Sequence, residues 1–216
     1  MVIAIDGPAG SGKSSIAEML AENLRGKDGK PFTYINSGYL YRAITLGCLR
    51  ADINPGDPEG ALEFARTAPL TYREARLYLG DEMIEDLLHS DEVDRHVSPL
   101  SAIVPIRHVV NDLIRKIAAG LNAVVEGRDM TTVVFPHAEY RFYLDASIKE
   151  RARRRFEQGV SRLSLEEIEQ AIAERDSIDR NKEEGSLMIG EGVDYLDTSD
   201  LTLMQVYDTL LNRIQK

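Results

Sequence analysis

The sequence predicts an α/β protein in which a parallel sheet is covered by helices on both faces. Short apolar runs alternate along most of the chain with longer segments whose apolar residues recur at the helical period. Such alternation is typical of parallel strands joined by crossover helices. A glycine-rich segment directly follows the first apolar run, and in these sheets ligands bind outside the carboxyl ends of the strands. We therefore expect the functional residues at that edge.

The first part of the chain is predicted to contain two strands and two helices. Ile16, Leu20 and Leu24 lie four residues apart, as on one face of a helix. The turn-forming residues 26–31 separate this helix from the next strand. The predicted strands are Val2–Asp6 and Phe32–Ile35, and the predicted helices end near Arg25 and span about Tyr39 to Arg50.

The later part of the chain continues the alternation. Its apolar runs read as core strands, and amphipathic segments lie between them. The predicted strands are Ala123–Val125, Tyr140–Leu144 and Tyr195–Leu196, and the predicted helices are about Ile106–Gly120, Ile148–Glu157 and Leu203–Ile214.

Two stretches interrupt this order. The first begins near Asn54, contains a predicted hairpin with Gly80-Asp81 at its turn, and runs as an insert to about His96. The second, Arg151 to about Gly190, is densely charged and largely helical, which predicts a mobile flap of low local stability. Its few apolar anchors are Leu163, Leu165, Ile168, Ile172 and Ile178.

The segment from Gly7 to Ser14 fits the phosphate-binding pattern G-x-x-x-x-G-K-[ST] between a predicted strand and a predicted helix. Its glycines allow successive backbone N–H groups to point at a polyphosphate, and the helix adds its positive N-terminal end. Lys13 would reach the β- and γ-phosphates, and the Ser14 hydroxyl would bind Mg²⁺. We expect a nucleoside triphosphate site formed by Gly7, Pro8, Ala9, Gly10, Ser11, Gly12, Lys13, Ser14 and Ser15.

Composition excludes several classes of function. The chain has 216 residues, 43% of them hydrophobic, and a formal net charge of −10. An acidic surface disfavours general binding to nucleic acid or to anionic membranes, so anions must meet local clusters of cations. The single Cys48 excludes an intrachain disulfide, and no apolar run is long enough to span a membrane. We expect a soluble, cytoplasmic protein.

Cations gather where such anions would bind. Arg128 follows a predicted core strand, which favours a ligand-binding role, and further arginines crowd the flap. Arg153 and Arg154 fit a solvated helix face and a phosphate site equally well. The flap cations are Arg151, Arg153, Arg154, Arg155, Arg175, Arg180 and Lys182.

Glu126 is the leading candidate for an acidic partner of Mg²⁺, through water, because it ends a predicted strand. A carboxylate at a helix N-terminus, without a metal, is the alternative. Asp6 is a weaker candidate of the same kind. The four histidines lack ligand spacing, so no zinc site is expected.

Five segments resemble bacterial cytidylate kinases of the long type, and the resemblance covers nearly the whole chain. The most specific is Gly127-Arg128-Asp129-Met130-Thr131-Thr132-Val133-Val134-Phe135-Pro136. The others are Asp6 to Ser14, Asn36 to Arg42, Val97-Ser98 with Arg107, and Glu174 to Asn181.

The resemblance implies a three-layer P-loop kinase fold with a five-stranded parallel sheet, in one domain, 1–216. The core would comprise 1–57, 97–150 and 190–216, the monophosphate-binding insert 58–96 and the helical lid 151–189. By the same resemblance the protein would be a monomer whose partners are nucleotides.

The resemblance also implies roles for individual residues. Ser98, Arg107 and Asp129 would read the cytosine edge, and a carboxylate such as Asp129 accepts well from the cytosine amine. Ser37, Tyr41, Arg42 and Arg128 would hold the monophosphate, and Asp179 with Arg175 would meet the ribose and phosphate. The catalytic cations would be Lys13, Arg128, Arg180 and Lys182.

Four positions depart from the family pattern. Asn36 replaces an aspartate, Thr131 a glycine, Lys182 a lid arginine and Ser186 a proline. Lysine keeps the charge but loses the planar fork that grips phosphate with two bonds.

The expected reaction is reversible transfer from ATP to CMP, and to dCMP, giving ADP and the diphosphate. Two alternatives remain. One is a P-loop kinase for another small acceptor, such as UMP, AMP or a metabolite, which the set Ser98, Arg107 and Asp129 disfavours. The other is a nucleotide-binding switch, which would not need the lid arginines.

Overall fold

The computed structural model describes residues 1–73, 76–159 and 163–215, and its central feature is a five-stranded sheet. The strands follow the order β2-β6-β1-β7-β8, and β1 runs parallel to both of its neighbours, as β8 does to β7. The predicted α/β architecture is thus confirmed. The strands are β1 Val2–Asp6, β2 Phe32–Asn36, β6 Asn122–Gly127, β7 Tyr140–Asp145 and β8 Asp194–Asp197.

The chain divides into two compact units, of which the first comprises residues 1–34 and 121–216. Its apolar core joins β1, β6 and β7 to two helices, α1 and α8, through fully buried side chains such as Ile3, Leu20, Leu144 and Leu210. The helices of this unit are α1 Lys13–Asn23, α6 Ile148–Glu157, α7 Leu165–Arg180 and α8 Leu203–Ile214.

The second unit comprises residues 35–120 and contains a small antiparallel sheet among helices. Helix α2 packs against α3, α4 and α5, and Gly47 leaves room on α2 for the ring of Phe64. Its elements are α2 Ser37–Arg50, α3 Pro58–Thr67, β3 Leu70–Arg73, β4 Arg76–Leu79, β5 Glu82–Met83, α4 Asp91–Leu100 and α5 Val104–Ala118.

Most predicted elements occur with ends shifted by a few residues. The predicted hairpin is present, with Gly80 at a φ of 63° in its turn, but the sheet gains a third strand, Leu70–Arg73. Helix α4 passes through residue 96, where the sequence suggested that the insert ends.

The charged segment after residue 151 has a small core of its own. Ile168 and Ile172 of α7 are buried against Ala152 of α6, as expected for anchors. The other three predicted anchors are exposed: Leu163, Leu165 and Ile178. Within the described ranges, no helix combines the length and the hydropathy needed to cross a membrane.

Candidate active site

The phosphate loop lies directly between β1 and α1, where the motif predicted it. Strand β1 ends at Asp6, and Gly12, at a φ of 90°, occupies the N-cap of α1. Gly7 has a φ of 149°, and a Cβ at this position would lie 2.0 Å from the carbonyl oxygen of Leu144 on β7. Only glycine fits there, so the neighbouring strand fixes where the loop begins.

Lys13 is the first residue of α1 and is buried, with its Nζ donating to the carbonyl oxygen of Pro8 at 2.7 Å. Burial, and next the charge of Arg128, lower its pKa to about 7, while the charges of Glu126 and Asp6 oppose the shift. Desolvation of an ammonium has this effect because the charged form loses hydration. A fraction of the Lys13 side chains is therefore neutral near pH 7, and bound anions would favour the protonated form.

The other residues of the predicted loop are arranged around this lysine. Ser14 and Ser15 are exposed at the N-terminus of α1, where a hydroxyl can reach a phosphate-bound cation. The amide of Ser11 donates to the carbonyl oxygen of Pro8 at 3.4 Å. Gly10 lies beside α6, because a Cβ there would be 3.2 Å from the Cβ of Arg151.

Asp6 ties the end of β1 to the segment after β6. Its two carboxylate oxygens accept from the amides of Met130 and Thr131, and Thr131 Oγ1 donates to it as well, at 2.6 Å. These three donors surround the buried carboxylate, and the weaker suggestion that Asp6 partners Mg²⁺ stays a prediction. The same contact accounts for Thr131, whose replacement of glycine adds a hydrogen bond.

Two of the predicted cations, Arg128 and Lys182, bind the carboxylate of a third predicted residue, Asp179. Arg128 Nε donates to Asp179 at 2.8 Å, and Lys182 Nζ donates to the same side chain, also at 2.8 Å. Burial raises the pKa of Asp179, but the charges of Arg128 and Lys182 overcome it and hold that pKa well below its usual range. Asp179 thus gathers the cations that the sequence assigns to phosphate.

Arg175 and Arg180 lie on α7, before and after Asp179 in the sequence. The charge of Arg175 contributes to the lowered pKa of Lys13. Arg180 is exposed, and among the described residues it forms no ion pair. It lines a cavity of about 510 Å³ together with Asp145, Ser147, Asp176, Tyr195 and Asp197, among others.

Glu126 and Ser14 provide the oxygen ligands that Mg²⁺ prefers. Glu126 is buried in β6, its Oε1 accepts from the hydroxyl of Tyr34 at 2.6 Å, and its charge acts on Lys13. No cluster of three ligating side chains occurs within the described ranges. That finding is compatible with Mg²⁺, which is usually held by one or two carboxylates, water and substrate phosphates.

In the second unit, the predicted monophosphate residues occur at the start of α2. Asn36 is the N-cap, and its Oδ1 accepts from the amide of Tyr39; asparagine caps as well as the aspartate it replaces. Ser37 and Tyr41 are buried. Arg42 donates to the carbonyl oxygen of Leu88 and pairs with Asp94 at 2.6 Å.

The predicted base-reading residues of this unit lie on α4 and α5. Arg107 is buried on α5, donates to the carbonyl oxygen of Ser101 at 2.9 Å, and lies 5.8 Å from the centre of the Tyr41 ring. Ser98 is half-buried near the end of α4, and its carbonyl oxygen accepts from the Ser101 hydroxyl. Asp129, in the first unit, is buried at the turn after β6.

The structure separates the two arginines whose roles the sequence left open. Arg153 is exposed and pairs with Glu150 and Glu157, as on a solvated helix face. Arg154 pairs with Glu150 as well, at 2.9 Å, but it also donates to the hydroxyl and the carbonyl oxygen of Thr198, and its Nη1 lies 4.0 Å from the Cβ position of Gly12. Arg154 is therefore a cation beside the phosphate loop.

Sequence reasoning missed the importance of Arg151 and Thr198. Arg151 is buried and donates to the carbonyl oxygens of Ala9 and Ala146 and, through two bonds, to Asp176 on α7. It therefore connects the phosphate loop to the helix that carries Arg175. Arg151 stands in a run of arginines. The one signal in the sequence is its spacing of three residues from Ile148 and its place beside Ala152, which put it on the apolar face of α6.

This buried bond predicts a measurable coupling in stability. Arg151→Met leaves Asp176 buried without its cation, so the free energy of unfolding in urea is expected to fall by about 3–5 kcal/mol. The double variant with Asp176→Asn should lose less than the sum of the two single changes, by about 1 kcal/mol or more. Arg153→Met, on the same helix, should change the free energy of unfolding little. If the losses in free energy of unfolding of the two single variants simply add in the double variant, Arg151 and Asp176 do not stabilise the fold as a pair.

Solved structures with a similar fold include two proteins whose sequences have diverged far from this chain. Shikimate kinase from Bacteroides thetaiotaomicron superposes with a TM-score of 0.51 at 10% identity, covering 100% of this chain and 99% of that one. TT1252 from Thermus thermophilus also gives 0.51, at 17% identity, covering 100% and 96%. These likenesses support the fold alone.

Sequence relatives are much closer. A protein named Cytidylate kinase from Caldanaerobacter subterraneus is 40% identical over 217 residues, covering 99% of this chain and 94% of that protein. Cytidylate kinase 1 of Borreliella afzelii is 40% identical over 218 residues, covering 99% of this chain and 96% of that protein. A family model described as Cytidylate kinase matches residues 3–216. The chain therefore belongs to the cytidylate kinase family.

Proposed function

We propose that this protein transfers the γ-phosphoryl group of ATP reversibly to CMP, and also to dCMP, acting as a monomer. One observation supports a two-substrate site most directly. Asp6, which precedes the phosphate loop, pairs in the sheet with Gly127, which precedes Arg128 and Asp129. A donor loop and a candidate acceptor-binding segment thus leave adjacent parallel strands at the same edge.

On the donor side, the phosphate loop binds the β- and γ-phosphates through its backbone amides and Lys13. Mg²⁺ would be held by Ser14 and, through water, by Glu126. When bound, Mg²⁺ neutralises charge that develops on the phosphate oxygens. Arg154, beside Gly12, adds a positive charge on the donor side.

On the acceptor side, Ser37, Tyr41 and Arg42 bind the phosphate of CMP, and Ser98 and Arg107 contact the base. Asp129 accepts a hydrogen bond from the exocyclic amine of cytosine, where uracil carries a carbonyl oxygen that the carboxylate repels. Asp179 and Arg175 bind the ribose and the phosphate. Each of these roles follows from the family and from the residue's chemistry.

The reaction itself needs no general base. A phosphate monoester has its second pKa near 6, so an acceptor oxygen is already anionic at neutral pH. That oxygen attacks the γ-phosphorus as the bond to the β-phosphate oxygen breaks, and ADP leaves. Lys13, Arg128, Arg180 and Lys182 stabilise the charge on the transferring group. Since Arg128 and Lys182 both pair with Asp179, substrate phosphates compete with this carboxylate for them.

Lys13 also predicts proton uptake when nucleotide binds. Its pKa of about 7 means that most Lys13 side chains are neutral at about pH 8.5, and bound phosphates raise that pKa. The protein therefore takes up protons when ADP binds. At this pH the phosphates of ADP are already deprotonated, so they release none. Calorimetric titration with ADP should give enthalpies that depend on the ionisation enthalpy of the buffer.

The matched control for this titration is Lys13→Arg, whose side chain stays charged at every accessible pH. It should bind ADP without net uptake of protons. Equal enthalpies in two non-phosphate buffers for the unmutated protein would contradict a neutral Lys13.

A panel of acceptors tests the proposed activity. Formation of ADP from ATP is measured with CMP, dCMP, UMP, AMP and shikimate, each at subsaturating concentration. We expect CMP to give the highest kcat/KM and dCMP to be used. Equal use of UMP would contradict the cytosine assignment, and ADP formed without any acceptor would favour a nucleotide-hydrolysing switch.

A further inference from the structure

The contact between Asp6 and the turn after β6 has no part in the reaction described above. Asp6 is fully buried, and its carboxylate accepts from Met130 N at 2.8 Å, Thr131 N at 2.7 Å and Thr131 Oγ1 at 2.6 Å. Hydrogen bonds to a charged group are stronger than those between neutral groups. The bonds join the end of β1 to residues 130 and 131, directly after Asp129.

The backbone of Asp129 is held from its other side as well. Its carbonyl oxygen accepts from the amides of Val133, at 2.9 Å, and Val134, at 3.1 Å, within the π-helical turn Met130–Val134. Single π-helical turns of this kind are frequent at functional sites. Gly127, two residues earlier, is registered against Asp6 in the sheet. Asp129 therefore lies on a short segment fixed at both ends, and Asp6 contributes to both.

Thr131 is the member of this arrangement that a substitution can test most cleanly. It is fully buried, and its hydroxyl supplies one of the bonds to Asp6 while its amide supplies another. Burial raises the pKa of Asp6 to about 6, and the Thr131 hydroxyl opposes this shift. Removing the hydroxyl weakens the hold of Asp6 on the turn without touching Asp129.

We propose that Asp6 and Thr131 are positioning residues for base recognition, which hold the Asp129 carboxylate where it meets the exocyclic amine of the acceptor base. This inference rests on the proposed function. A threonine in place of the family's glycine thus strengthens an anchor for the specificity residue. The predicted signature is a loss of discrimination between CMP and UMP, with the affinity for ATP unchanged.

The test compares Thr131→Val, which removes the hydroxyl at nearly constant volume, with Thr131→Ser, which keeps it. Thr131→Val should lower the ratio of kcat/KM for CMP to that for UMP by about tenfold, through a higher KM for CMP. The KM for ATP should stay the same. Thr131→Ser should restore the ratio of the unmutated protein. Thr131→Gly removes the hydroxyl without adding volume and should behave like Thr131→Val even if the valine impairs folding.

The control is Thr45→Val, which also removes a fully buried hydroxyl, one that donates to the carbonyl oxygen of Tyr41 within α2. It should leave the CMP-to-UMP ratio unchanged. The inference is overturned if Thr131→Val or Thr131→Gly keeps the ratio, or if Thr131→Ser loses as much of it as they do. An unmutated protein that does not prefer CMP would instead overturn the proposed function, and this inference with it.

Discussion

Lys13→Met is expected to lower kcat by roughly 10²- to 10³-fold without lowering the stability of the fold. The methionine keeps the length of the side chain but removes the only cation on the phosphate loop, so charge on the transferring phosphoryl group is no longer stabilised there. Stability should hold because Lys13 is buried and its pKa is lowered to about 7, which means that burial already disfavours its charged form. Steady-state kinetics and thermal unfolding of the same preparation check both parts.

The matched control is Lys30→Met, since Lys30 is highly exposed and pairs only weakly with Asp28, at 3.7 Å. It should leave both kcat and the melting temperature unchanged. A Lys13→Met variant that keeps its kcat would show that the phosphate loop does not act on the transferred group. One that unfolds would show instead that the bond from Nζ to Pro8 stabilises the loop.

Asp129→Ala is expected to reduce the preference for CMP over UMP by about 10- to 100-fold. The carboxylate both accepts from the cytosine amine and repels the uracil carbonyl, so its loss should lower kcat/KM for CMP while that for UMP stays equal or rises. Measuring kcat/KM for the two acceptors in one mixture gives their ratio directly. The KM for ATP should not change, because Asp129 lies on the acceptor side of the proposed site.

Asp112→Ala provides the comparison for this change. Asp112 is exposed on α5, where it pairs with Arg115 three residues later. Its removal should leave the ratio of CMP to UMP use intact. If Asp129→Ala lowers the use of both acceptors equally, Asp129 supports the site as a whole and does not select the base.

The predicted elements of the core occur because their signals are local. Periodicity identified the buried strands and the amphipathic helices, and the phosphate-loop pattern located the turn between β1 and α1. The position of Arg128 after a predicted strand pointed to a ligand, and the resemblance added roles for Asp129 and Asp179. The structure then brings Arg128, Asp179 and Lys182 together, which no spacing in the sequence indicates.

The parts that were missed depend on contacts between distant residues. Strand β3 has only four residues and none of them is fully buried, so its alternating pattern is too short to stand out in the sequence. Arg151 looks like any arginine of a charged helix, although it reaches Ala9 and Asp176. The sequence offered Asp6 only as a weaker candidate for a partner of Mg²⁺ and gave no sign of its bonds to Thr131. Thr131 lies 125 residues away in the chain.

The carbonyl oxygen of Leu144 occupies the space that a side chain at residue 7 would need. A single substitution at Gly7 is therefore excluded, because β7 would first have to move. Strand β7 is held on both sides, by β1 and by β8. Exposed neighbours such as Ser15 carry no such restriction. The sequence history of the phosphate loop is therefore coupled to that of β7. Its exposed positions can vary, while its first glycine can change only if the sheet changes with it.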